Sequence, residues 1–496
     1  MKKIAAFLLL LIIATANVLA QSKKQALDKY FTALHDNQRF NGNVLVADNG
    51  KIVYEKSFGY ADFANKKLNT NNTQFCIASI TKTFTATGIF QLYEKGKLNI
   101  DDPVNKYLPA FPYPEIRIRH LLSHTSGLPP YDKFFDSLRL AHPDTVFTNK
   151  DIVARYAALK LPLKYQPGDN ATYENVNYIF LSLIIESITG IPYAEYIKKN
   201  VFEPAGMTKT FFPKATFYHY LPEEKTNLAE TYNYPFVYST AMQKTDTIKF
   251  IADYWQNYQF KGFGEIITTT EDLLKYDQAL YNGKLLSDAT LAKAYTLTKL
   301  NNGKDSPVEI GLGWKVYNDN PFGQVVGHTG GLIGLSAVFL RNITRHQTVI
   351  VIDNTQNRTE DVGGDALKIL NGGKAVPLAK SAAREYGRTL VSKGIEDANT
   401  DLVAMKKDSA HYSLVETEFN ILGYDLMANN KLNLALEVFK TNMQLFPQSW
   451  NVYDSYGEAL LQNGQKDEAI KMYKKSVELN PENENGVKIL KDLSRE

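Results

Sequence analysis

The sequence Ser79-Ile80-Thr81-Lys82 begins a helical pattern that continues to Lys95 and ends at Gly96, a usual residue after a helix C-terminus. On a helix, residues three positions apart lie on one face, so the Ser79 hydroxyl and the Lys82 amine are expected to meet. A serine hydroxyl is a weak nucleophile that needs such a base. The N-terminal end of a helix also disfavours a charged lysine and stabilises negative charge on the serine oxygen. The stretch therefore predicts a nucleophile and its base, although a capping serine followed by a solvated lysine would give the same pattern.

A second polar element is Tyr173-Glu174-Asn175, which follows Gln166-Pro167-Gly168 and precedes a helix predicted over Val176–Thr189. Loops of this kind commonly carry catalytic groups. A phenol near two cations loses its proton more easily, so Tyr173 is a candidate general base or acid. The Asn175 amide can bind both a substrate amide and Lys82, although an asparagine before a helix is usually a cap.

A third element, Gly327-His328-Thr329-Gly330-Gly331, lies between two predicted strands. Glycines at a sheet edge let a substrate backbone approach closely. The backbone N–H of Gly331 can then pair with that of Ser79 to form an oxyanion hole. The alternative interpretation of the glycines is a tight turn between the strands.

Together, the three elements resemble the signature of the serine β-lactamase and penicillin-binding protein superfamily, which is Ser-x-x-Lys, a second polar triad and Lys-Thr-Gly. The resemblance is strongest to the class C branch, with its D,D-peptidase, D-aminopeptidase and esterase relatives. That branch uses Tyr-x-Asn as the second triad and often His-Thr-Gly as the third. The flanking stretches Leu121–Leu128, Tyr165–Gly168 and Gly311–Trp314 also agree, and the likeness extends from about residue 30 to residue 371.

The resemblance implies a serine hydrolase that works through an acyl-enzyme on Ser79, with Lys82 and Tyr173 sharing proton transfer. The implied substrates are amides or esters, such as a D-amino-acid peptide, a small ester or a β-lactam. No cofactor is expected. A different class of function is a non-catalytic binding or scaffold protein that keeps the fold and acts through its C-terminal repeats. A scaffold has no physical need for the intact catalytic set, so the enzyme is favoured.

Substrate binding is assigned by the same resemblance to Asn175, His328, Thr329 and Gly331, with His328 and Thr329 contacting a carboxylate or polar end. Two features depart from the family pattern. Glu174 replaces a small residue and adds negative charge near the cleft. His328 stands where true β-lactamases carry lysine, and a histidine loses most of its charge above its pKa, about 6.5 when unperturbed. The sequence therefore favours peptide or ester hydrolysis over antibiotic hydrolysis.

The fold predicted for the hydrolase is α/β, with an antiparallel sheet flanked by helices and interrupted by a helical insert. Asn49-Gly50, the strongest two-residue hairpin turn, separates the strands Val44–Asp48 and Lys51–Phe58. Further strands are predicted late in the chain, at Gln324–Gly327, Ser336–Arg341 and Thr348–Ile352, and further helices at Tyr193–Phe202 and Asp272–Tyr281. Both ends of the domain are thus expected to complete one β-lactamase/D,D-peptidase-like sheet.

The C-terminal segment repeats with a period of 34 residues. The matched pairs are Gly423 and Gly457, Ala435 and Ala469, Phe439 and Tyr473, and Pro447 and Pro481, together with Phe419 and Tyr453, and Leu426 and Leu460. This is the tetratricopeptide pattern, a helix–turn–helix unit. Two repeats are fewer than the usual minimum of about three. We therefore expect the helical stretches Ala382–Lys393 and Asn485–Leu493, or the catalytic domain, to cap the stack, and the repeated aromatic residues to lie in its core.

The N-terminus has the pattern of a secretory signal peptide. Lys2 and Lys3 precede an apolar run from Ile4 to about Ala16, and small residues precede a cut after residue 20. A membrane anchor is the alternative, but the run is shorter than the ~20 residues that cross a bilayer. The predicted domains are thus a signal peptide at 1–20, a hydrolase at 21–375 and a helical repeat domain at 376–496, in an exported protein that is periplasmic or secreted and has no membrane span after cleavage.

Bulk composition excludes several other classes. The formal net charge is only +3, and no basic run with aromatic residues is present, so nucleic-acid binding is not expected. Cys76 is the only cysteine, so no intramolecular disulfide forms, and we expect it to be buried in the core. His120 and His124 have a metal-compatible spacing but lack an accompanying glutamate, so no metal is predicted. The expected partners are a small-molecule or peptide substrate and, through the repeats, a protein.

Overall fold

The computed structural model describes residues 21–214, 217–355, 358–375 and 379–493. The predicted signal peptide lies outside the described residues. The chain divides into two compact units. We call the first the sheet unit; it contains the described residues up to Asn233 and Lys244–Ala375. We call the second the helical unit; it contains Tyr234–Gln243 and the described residues from 379 onward.

The strands are β1 (Gly42–Asp48), β2 (Lys51–Phe58), β3 (Tyr60–Asp62), β4 (Lys67–Leu68), β5 (Phe75–Cys76), β6 (Tyr232–Asn233), β7 (Gln243–Lys244), β8 (Ile267–Thr268), β9 (Lys315–Tyr317), β10 (Val325–Leu332), β11 (Leu335–Asn342), β12 (Gln347–Asp353), β13 (Lys380–Ser381) and β14 (Tyr412–Ser413). The helices of the sheet unit are α1 (21–36), α2 (Thr81–Glu94), α3 (Ile118–Leu122), α4 (Asp132–Ala141), α5 (Asn149–Leu159), α6 (Val176–Thr189), α7 (Tyr193–Ile197), α8 (Glu203–Ala205), α9 (Lys249–Trp255), α10 (Thr270–Tyr281), α11 (Asp288–Ala294) and α12 (Thr359–Leu370). Those of the helical unit are α13 (Ala382–Ser392), α14 (Ile395–Lys407), α15 (Glu416–Ala428), α16 (Leu432–Leu445), α17 (Trp450–Gln462), α18 (Lys466–Leu479) and α19 (Glu484–Leu493).

A six-stranded sheet forms the centre of the sheet unit, in the order β2-β1-β12-β11-β10-β9. Its neighbouring strands run antiparallel, and β1 pairs with β12, so both ends of the unit complete the sheet as predicted. The hairpin between β1 and β2 turns at Asn49 and Gly50, whose φ angles are 51° and 73°. Positive φ at both central residues is the requirement of a tight hairpin turn, and this explains the Asn-Gly sequence.

Helices cover both faces of this sheet. Successive side chains of a strand point to opposite faces. On β11, Phe339 lies against Tyr276 of α10, while Val338 leaves no room for a side chain at Gly363 of α12. The two helices therefore pack on opposite faces. Burial on both faces explains why the centre of β12, residues 349–352, is an unbroken apolar run rather than an alternating one.

The helical insert surrounds α2, which is buried along almost its whole length. Its threonine hydroxyls are satisfied within the helix and by neighbouring segments: the Thr83 hydroxyl donates to the Ile80 carbonyl oxygen, and the Thr85 hydroxyl donates to the Gly262 carbonyl oxygen. The predicted helix over Val176–Thr189 is confirmed as α6, and it packs against α2. Within the described residues, no single helix has the length and apolar character to cross a bilayer; α6 and the helical stretch Tyr193–Ala205 reach that length only together and bend by 79°.

The helical unit repeats a small-residue contact. A side chain at Gly423 of α15 would lie 2.5 Å from the Phe439 ring of α16, and one at Gly457 of α17 would lie 3.0 Å from the Tyr473 ring of α18. The 34-residue spacing thus preserves a glycine beneath an aromatic ring. Phe419, Phe439 and Tyr473 are buried as predicted, whereas Tyr453 is only half-buried and its hydroxyl donates to a backbone carbonyl oxygen.

Two flanking elements extend the helical stack. Helices α13 and α14 share one apolar core with α15 and α16, and Ile489 and Leu490 of α19 pack with Tyr473. The segment Tyr234–Gln243 also belongs to this unit: the Arg388 guanidinium donates to the Ser239 carbonyl oxygen, and the backbone N–H of Val237 donates to the Asp425 carboxylate. No pattern in the sequence indicated that this segment would join the C-terminal helices.

Candidate active site

Ser79 lies on a single 3-10 turn, Ala78–Ile80, that leads directly into α2. In a 3-10 turn, side chains three positions apart eclipse each other. Accordingly, the Lys82 Nζ lies 3.0 Å from the Ser79 Oγ. Ala78 has a φ of 44°, an uncommon value for a residue with a side chain. The predicted contact between hydroxyl and amine is present, so Ser79 is not simply a helix cap.

Lys82 is completely buried and has two further acceptors. Its Nζ donates to the Asn175 Oδ1 and to the Phe263 carbonyl oxygen, both at 2.8 Å. Burial lowers the pKa of Lys82 well below its ordinary value, and the negative charge of Glu265 partly opposes that shift. A neutral amine has two N–H groups and one lone pair. In the neutral form of the amine, Asn175 and Phe263 take both N–H groups, and the lone pair faces the Ser79 hydroxyl.

The Tyr173 hydroxyl faces Ser79, and its interaction with Ser79 acts to lower the pKa of the phenol. Its ring is 38% exposed and lies 4.9 Å from the Lys82 Nζ. Burial of the phenol raises the pKa of Tyr173, and the interaction with Ser79 opposes this only in part. The direction of this pKa shift is opposite to the one expected from nearby cations, because burial is its largest cause. The shift means that the Tyr173 phenol holds its proton more firmly than an ordinary phenol does.

His124 lies behind Tyr173 and stacks on its ring, with 4.2 Å between ring centres. The His124 Nδ1 accepts from the Glu174 backbone N–H at 3.1 Å and lies 3.1 Å from the Asn177 amide nitrogen. Burial lowers the pKa of His124 well below its usual range. The sequence signal was the stretch Leu121–Leu128, which was recognised as a family loop but was not linked to Tyr173.

The adjacent residues Glu174 and Asn175 have different partners. Asn175 precedes α6, yet its side chain makes no capping hydrogen bond and binds Lys82 instead. The cap interpretation of this residue is therefore wrong. The Glu174 carboxylate pairs with the Lys164 ammonium at 2.6 Å, so the negative charge expected near the cleft is matched by a cation.

The third element lies inside β10 and not in a turn, so the tight-turn alternative is wrong. A Cβ at Gly327 would lie 2.0 Å from the Phe339 carbonyl oxygen, and one at Gly330 would lie 2.2 Å from the Ile77 carbonyl oxygen. Protein backbone therefore fills the space beside these two glycines. Gly331 has no atom within 4 Å of such a Cβ, so only this position is open to a substrate backbone.

His328 is buried beside these groups, and burial lowers its pKa to about 3. This value lies well below the unperturbed value of about 6.5 for a histidine. The His328 Nδ1 lies 2.6 Å from the Thr329 carbonyl oxygen. A carbonyl oxygen can only accept, so Nδ1 carries the proton and Nε2 is an acceptor. This neutral imidazole accepts a hydrogen bond more readily than it holds a carboxylate.

An open cleft of about 520 Å³ adjoins Gly331. Its lining is mainly aromatic and aliphatic and includes Tyr218, Tyr254, Trp255, Leu332 and Ile333. Leu332 and Ile333 directly follow the third motif, whereas Tyr218, Tyr254 and Trp255 lie far from all three motifs in the sequence. The cleft gives an apolar substrate group a place next to the candidate nucleophile.

The remaining candidates have structural roles. The His120 Nδ1 accepts from the Arg117 backbone N–H, and burial lowers the pKa of His120 to about 4. In the part of the chain that the structure describes, no cluster of three or more His, Cys, Asp or Glu side chains could hold a metal. The Cys76 thiol is buried and donates to the Gly264 carbonyl oxygen, and burial raises its pKa to about 12, which is unsuited to a nucleophile.

Comparisons with known proteins identify related families for two parts of the chain. A family model described as Beta-lactamase matches residues 27–374, and a tetratricopeptide repeat model matches residues 451–483. A penicillin-binding protein of Bacillus subtilis (strain 168) is 36% identical over 345 residues, which are 68% of this chain and 74% of that protein. Among solved structures, FmtA from Staphylococcus aureus has a TM-score of 0.56 at 27% identity, covering 71% of this chain and 88% of its own. A penicillin-binding protein from Bacillus halodurans has a TM-score of 0.55 at 26% identity, covering 69% and 98%.

Proposed function

This chain belongs to the β-lactamase family and is a serine hydrolase of that type, and from this we propose that it forms an acyl-enzyme on Ser79 while cleaving an uncharged amide or ester. The observation that carries the proposal is the 3.0 Å contact between the Ser79 Oγ and the buried Lys82 amine. A serine needs a base at this distance, and a buried amine is neutral enough to act as one.

In the proposed mechanism, Lys82 takes the proton of Ser79 as the Ser79 oxygen attacks the substrate carbonyl carbon. The backbone N–H groups of Ser79 and Gly331 stabilise the oxyanion. Tyr173, which keeps its proton, donates it to the leaving nitrogen or oxygen and recovers one from Lys82. Water then attacks the acyl-enzyme with the same groups acting in reverse.

The neutral His328 narrows the substrate class. A lysine in this position would attract a carboxylate, whereas an imidazole whose Nε2 accepts a hydrogen bond favours an N–H or O–H group. Thr329 and Asn175 supply the other polar contacts. We therefore infer that D-amino-acid amides and small esters are better substrates than anionic β-lactams, with an apolar substrate group occupying the cleft beside Gly331.

The test is the variant Ser79→Ala, assayed against D-alanyl peptides, short-chain esters and a chromogenic cephalosporin. We expect loss of turnover and of covalent labelling by a fluorophosphonate, with an unchanged melting temperature. A matched control is Ser182→Ala, because Ser182 is a buried serine of α6 that donates to a backbone carbonyl oxygen. Its labelling should persist. Labelling of the Ser79→Ala protein would refute the assignment.

We further propose the domain division 1–20, 21–375 and 376–496, in which the first segment is a signal peptide and the mature enzyme acts in the periplasm or outside the cell. The sequence pattern of residues 1–20 supports export. The repeats would offer a surface for a protein partner, as helical repeats often do. Mass spectrometry of the mature protein tests the cut: retention of residues 1–20 would argue against it.

A further inference from the structure

The loop Gly262–Glu265 connects α9 to β8 and folds around its own last side chain. The Glu265 carboxylate accepts from three consecutive backbone N–H groups: from Gly262 at 2.7 Å, from Phe263 at 3.3 Å and from Gly264 at 2.9 Å. Glu265 is only 3% exposed. A buried carboxylate is costly unless such hydrogen bonds satisfy it, so its presence here calls for an explanation.

The same loop supplies a ligand to Lys82. With the three N–H groups directed to Glu265, the Phe263 carbonyl oxygen faces the Lys82 Nζ at 2.8 Å. The adjoining Gly262 carbonyl oxygen accepts from the Thr85 hydroxyl of α2 at 2.6 Å. Gly262 has a φ of +107°, and a side chain there would meet the Tyr178 carbonyl oxygen of α6 at 2.6 Å. The loop is therefore wedged between α2 and α6, and its shape determines where the Lys82 amine sits.

Glu265 also supplies a charge. It is the carboxylate whose attraction acts on Lys82. The other titratable groups facing Lys82 are the phenols of Tyr173 and Tyr178 and the imidazoles of His124 and His328. None of these carries a negative charge at neutral pH.

The negative charge of Glu265 also affects the pKa of Lys261, Tyr193 and Cys76. The phenol and the thiol are buried and neutral, because burial raises the pKa of each. Lys261 is the remaining group that can carry charge. The two lysines thus share this carboxylate.

We propose that Glu265 is a positioning residue for Lys82: its carboxylate orders the loop so that the Phe263 carbonyl fixes Nζ beside Ser79, and its negative charge stabilises the protonated form of the lysine. This inference rests on the proposed function, in which Lys82 is the base. It implies that Glu265 influences catalysis without touching the substrate.

The test is Glu265→Gln, with kcat/KM measured from acid to alkaline pH on a neutral short-chain p-nitrophenyl ester. Only free-base Lys82 accepts the Ser79 proton, so activity falls as pH drops and the lysine becomes protonated. Removing a nearby negative charge makes protonation harder. We expect the acid limb of the profile to move to lower pH by roughly one unit, and kcat/KM at the optimum to fall roughly 10- to 100-fold as Nζ loses its fixed place.

Glu224→Gln is the matched control. The Glu224 carboxylate is also buried, at 9% exposure, and accepts from the backbone N–H groups of Lys214 and Leu221, but it does not act on Lys82. Its variant should leave the acid limb in place even if it melts earlier. A folded Glu265→Gln protein with the wild-type acid limb would overturn the proposal, because a purely structural role lowers the rate equally at every pH.

If Glu265→Gln does not fold, Glu265→Asp decides. Aspartate keeps the negative charge but is too short to reach all three N–H groups. We therefore expect the wild-type acid limb with a reduced rate. A wild-type rate would refute the positioning role. Failure of the proposed function looks different: the wild-type enzyme itself would then show no fluorophosphonate labelling.

Discussion

The sheet unit buries charged side chains, whereas the buried polar side chains in the described part of the helical unit are all uncharged. Lys82, Glu265, Asp277 and Arg341 are almost fully enclosed in the sheet unit. In the helical unit, the buried polar residues are Thr441, Asn442, Ser455, Ser476 and Asn483. Its interior is otherwise built from small residues placed against aromatic rings, as at Gly423 and Gly457.

The two units differ in the kind of contact on which their stability depends. A buried charge is tolerated only with a partner, and those partners come from distant parts of the chain. Arg341 of β11 pairs with Asp277 of α10, 64 residues away, and also binds the Tyr295 hydroxyl. In the helical unit, Gly423 meets a ring only 16 residues later, and the contact recurs in the next repeat. The sheet unit is therefore sensitive to single long-range polar contacts, and the helical unit to local packing.

The largest expected effect is that of Arg341→Met. It leaves Asp277 buried without its cation, which costs about 3–5 kcal/mol of unfolding free energy. Hydrogen-exchange mass spectrometry in increasing denaturant should show early opening of the sheet unit and unchanged protection of the helical unit. Arg345→Met, at an exposed arginine nearby, is the control and should be nearly neutral. Equal protection in both arginine variants would mean that the buried pair is not a determinant of this unit.

A smaller effect, confined to the other unit, is expected for Gly423→Ala. The added methyl group would lie 2.5 Å from the Phe439 ring, and such overpacking costs about 1–3 kcal/mol. Exchange should rise in α15 and α16, while ester turnover stays constant. Gly457→Ala is the matched variant, since its methyl group would lie 3.0 Å from the Tyr473 ring. Gly457→Ala should be milder, because its methyl group has more room. Helix propensity favours alanine by about 1 kcal/mol at both positions, and here it offsets more of the cost of the contact. The reverse ranking would show that ring contact does not explain the repeated glycine.

We expect low pH to reduce the free energy of unfolding of the sheet unit, because His328 takes up a proton more readily when the chain unfolds. Its pKa is about 3 in the folded protein and about 6.5 when unfolded, so between these values the unfolded chain binds more protons. The contribution of His328 to the free energy of unfolding is fully present above pH 6.5. It decreases as the pH drops, by at most about 1.4 kcal/mol per pH unit. His328→Asn should reduce that slope in denaturant titrations at pH 7 and pH 5. An unaltered slope would mean that the imidazole is not held neutral.

The smallest expected effect is on turnover after truncation at Ala375. Every proposed catalytic residue precedes that position, so the shortened chain should hydrolyse a small ester at a rate close to that of the full chain. Turnover and melting of the two proteins, measured side by side, test this. Retained folding with lost turnover would show that the helical unit shapes the active site and that the two units do not divide the work as proposed.

Several features were predictable because they depend on neighbours in sequence. The Asn49-Gly50 turn, helix α6, the contact of Ser79 with Lys82 and the 34-residue helical repeat each follow from local geometry or from a fixed period. Asn175 was predictable only through the family resemblance, because on its own it would indicate a helix cap.

Other features were set by desolvation, which spacing does not reveal. Tyr173 and His328 were expected to titrate as residues near charges or in water, yet burial raises the pKa of the first and lowers that of the second. The glycines of β10 were expected to make room for substrate, but the space beside Gly327 and Gly330 is filled by protein backbone.

The sequence by itself determined the contact of Ser79 with Lys82, the hairpin that starts the sheet and the repeat that builds the helical unit, because each is encoded within one or two turns of chain or in a regular period. Only the tertiary structure decided the protonation states of the site, the open position at Gly331 and the link from Glu265 to Lys82. Those properties depend on how much water is excluded and on which distant segments meet, and both are consequences of packing the whole chain.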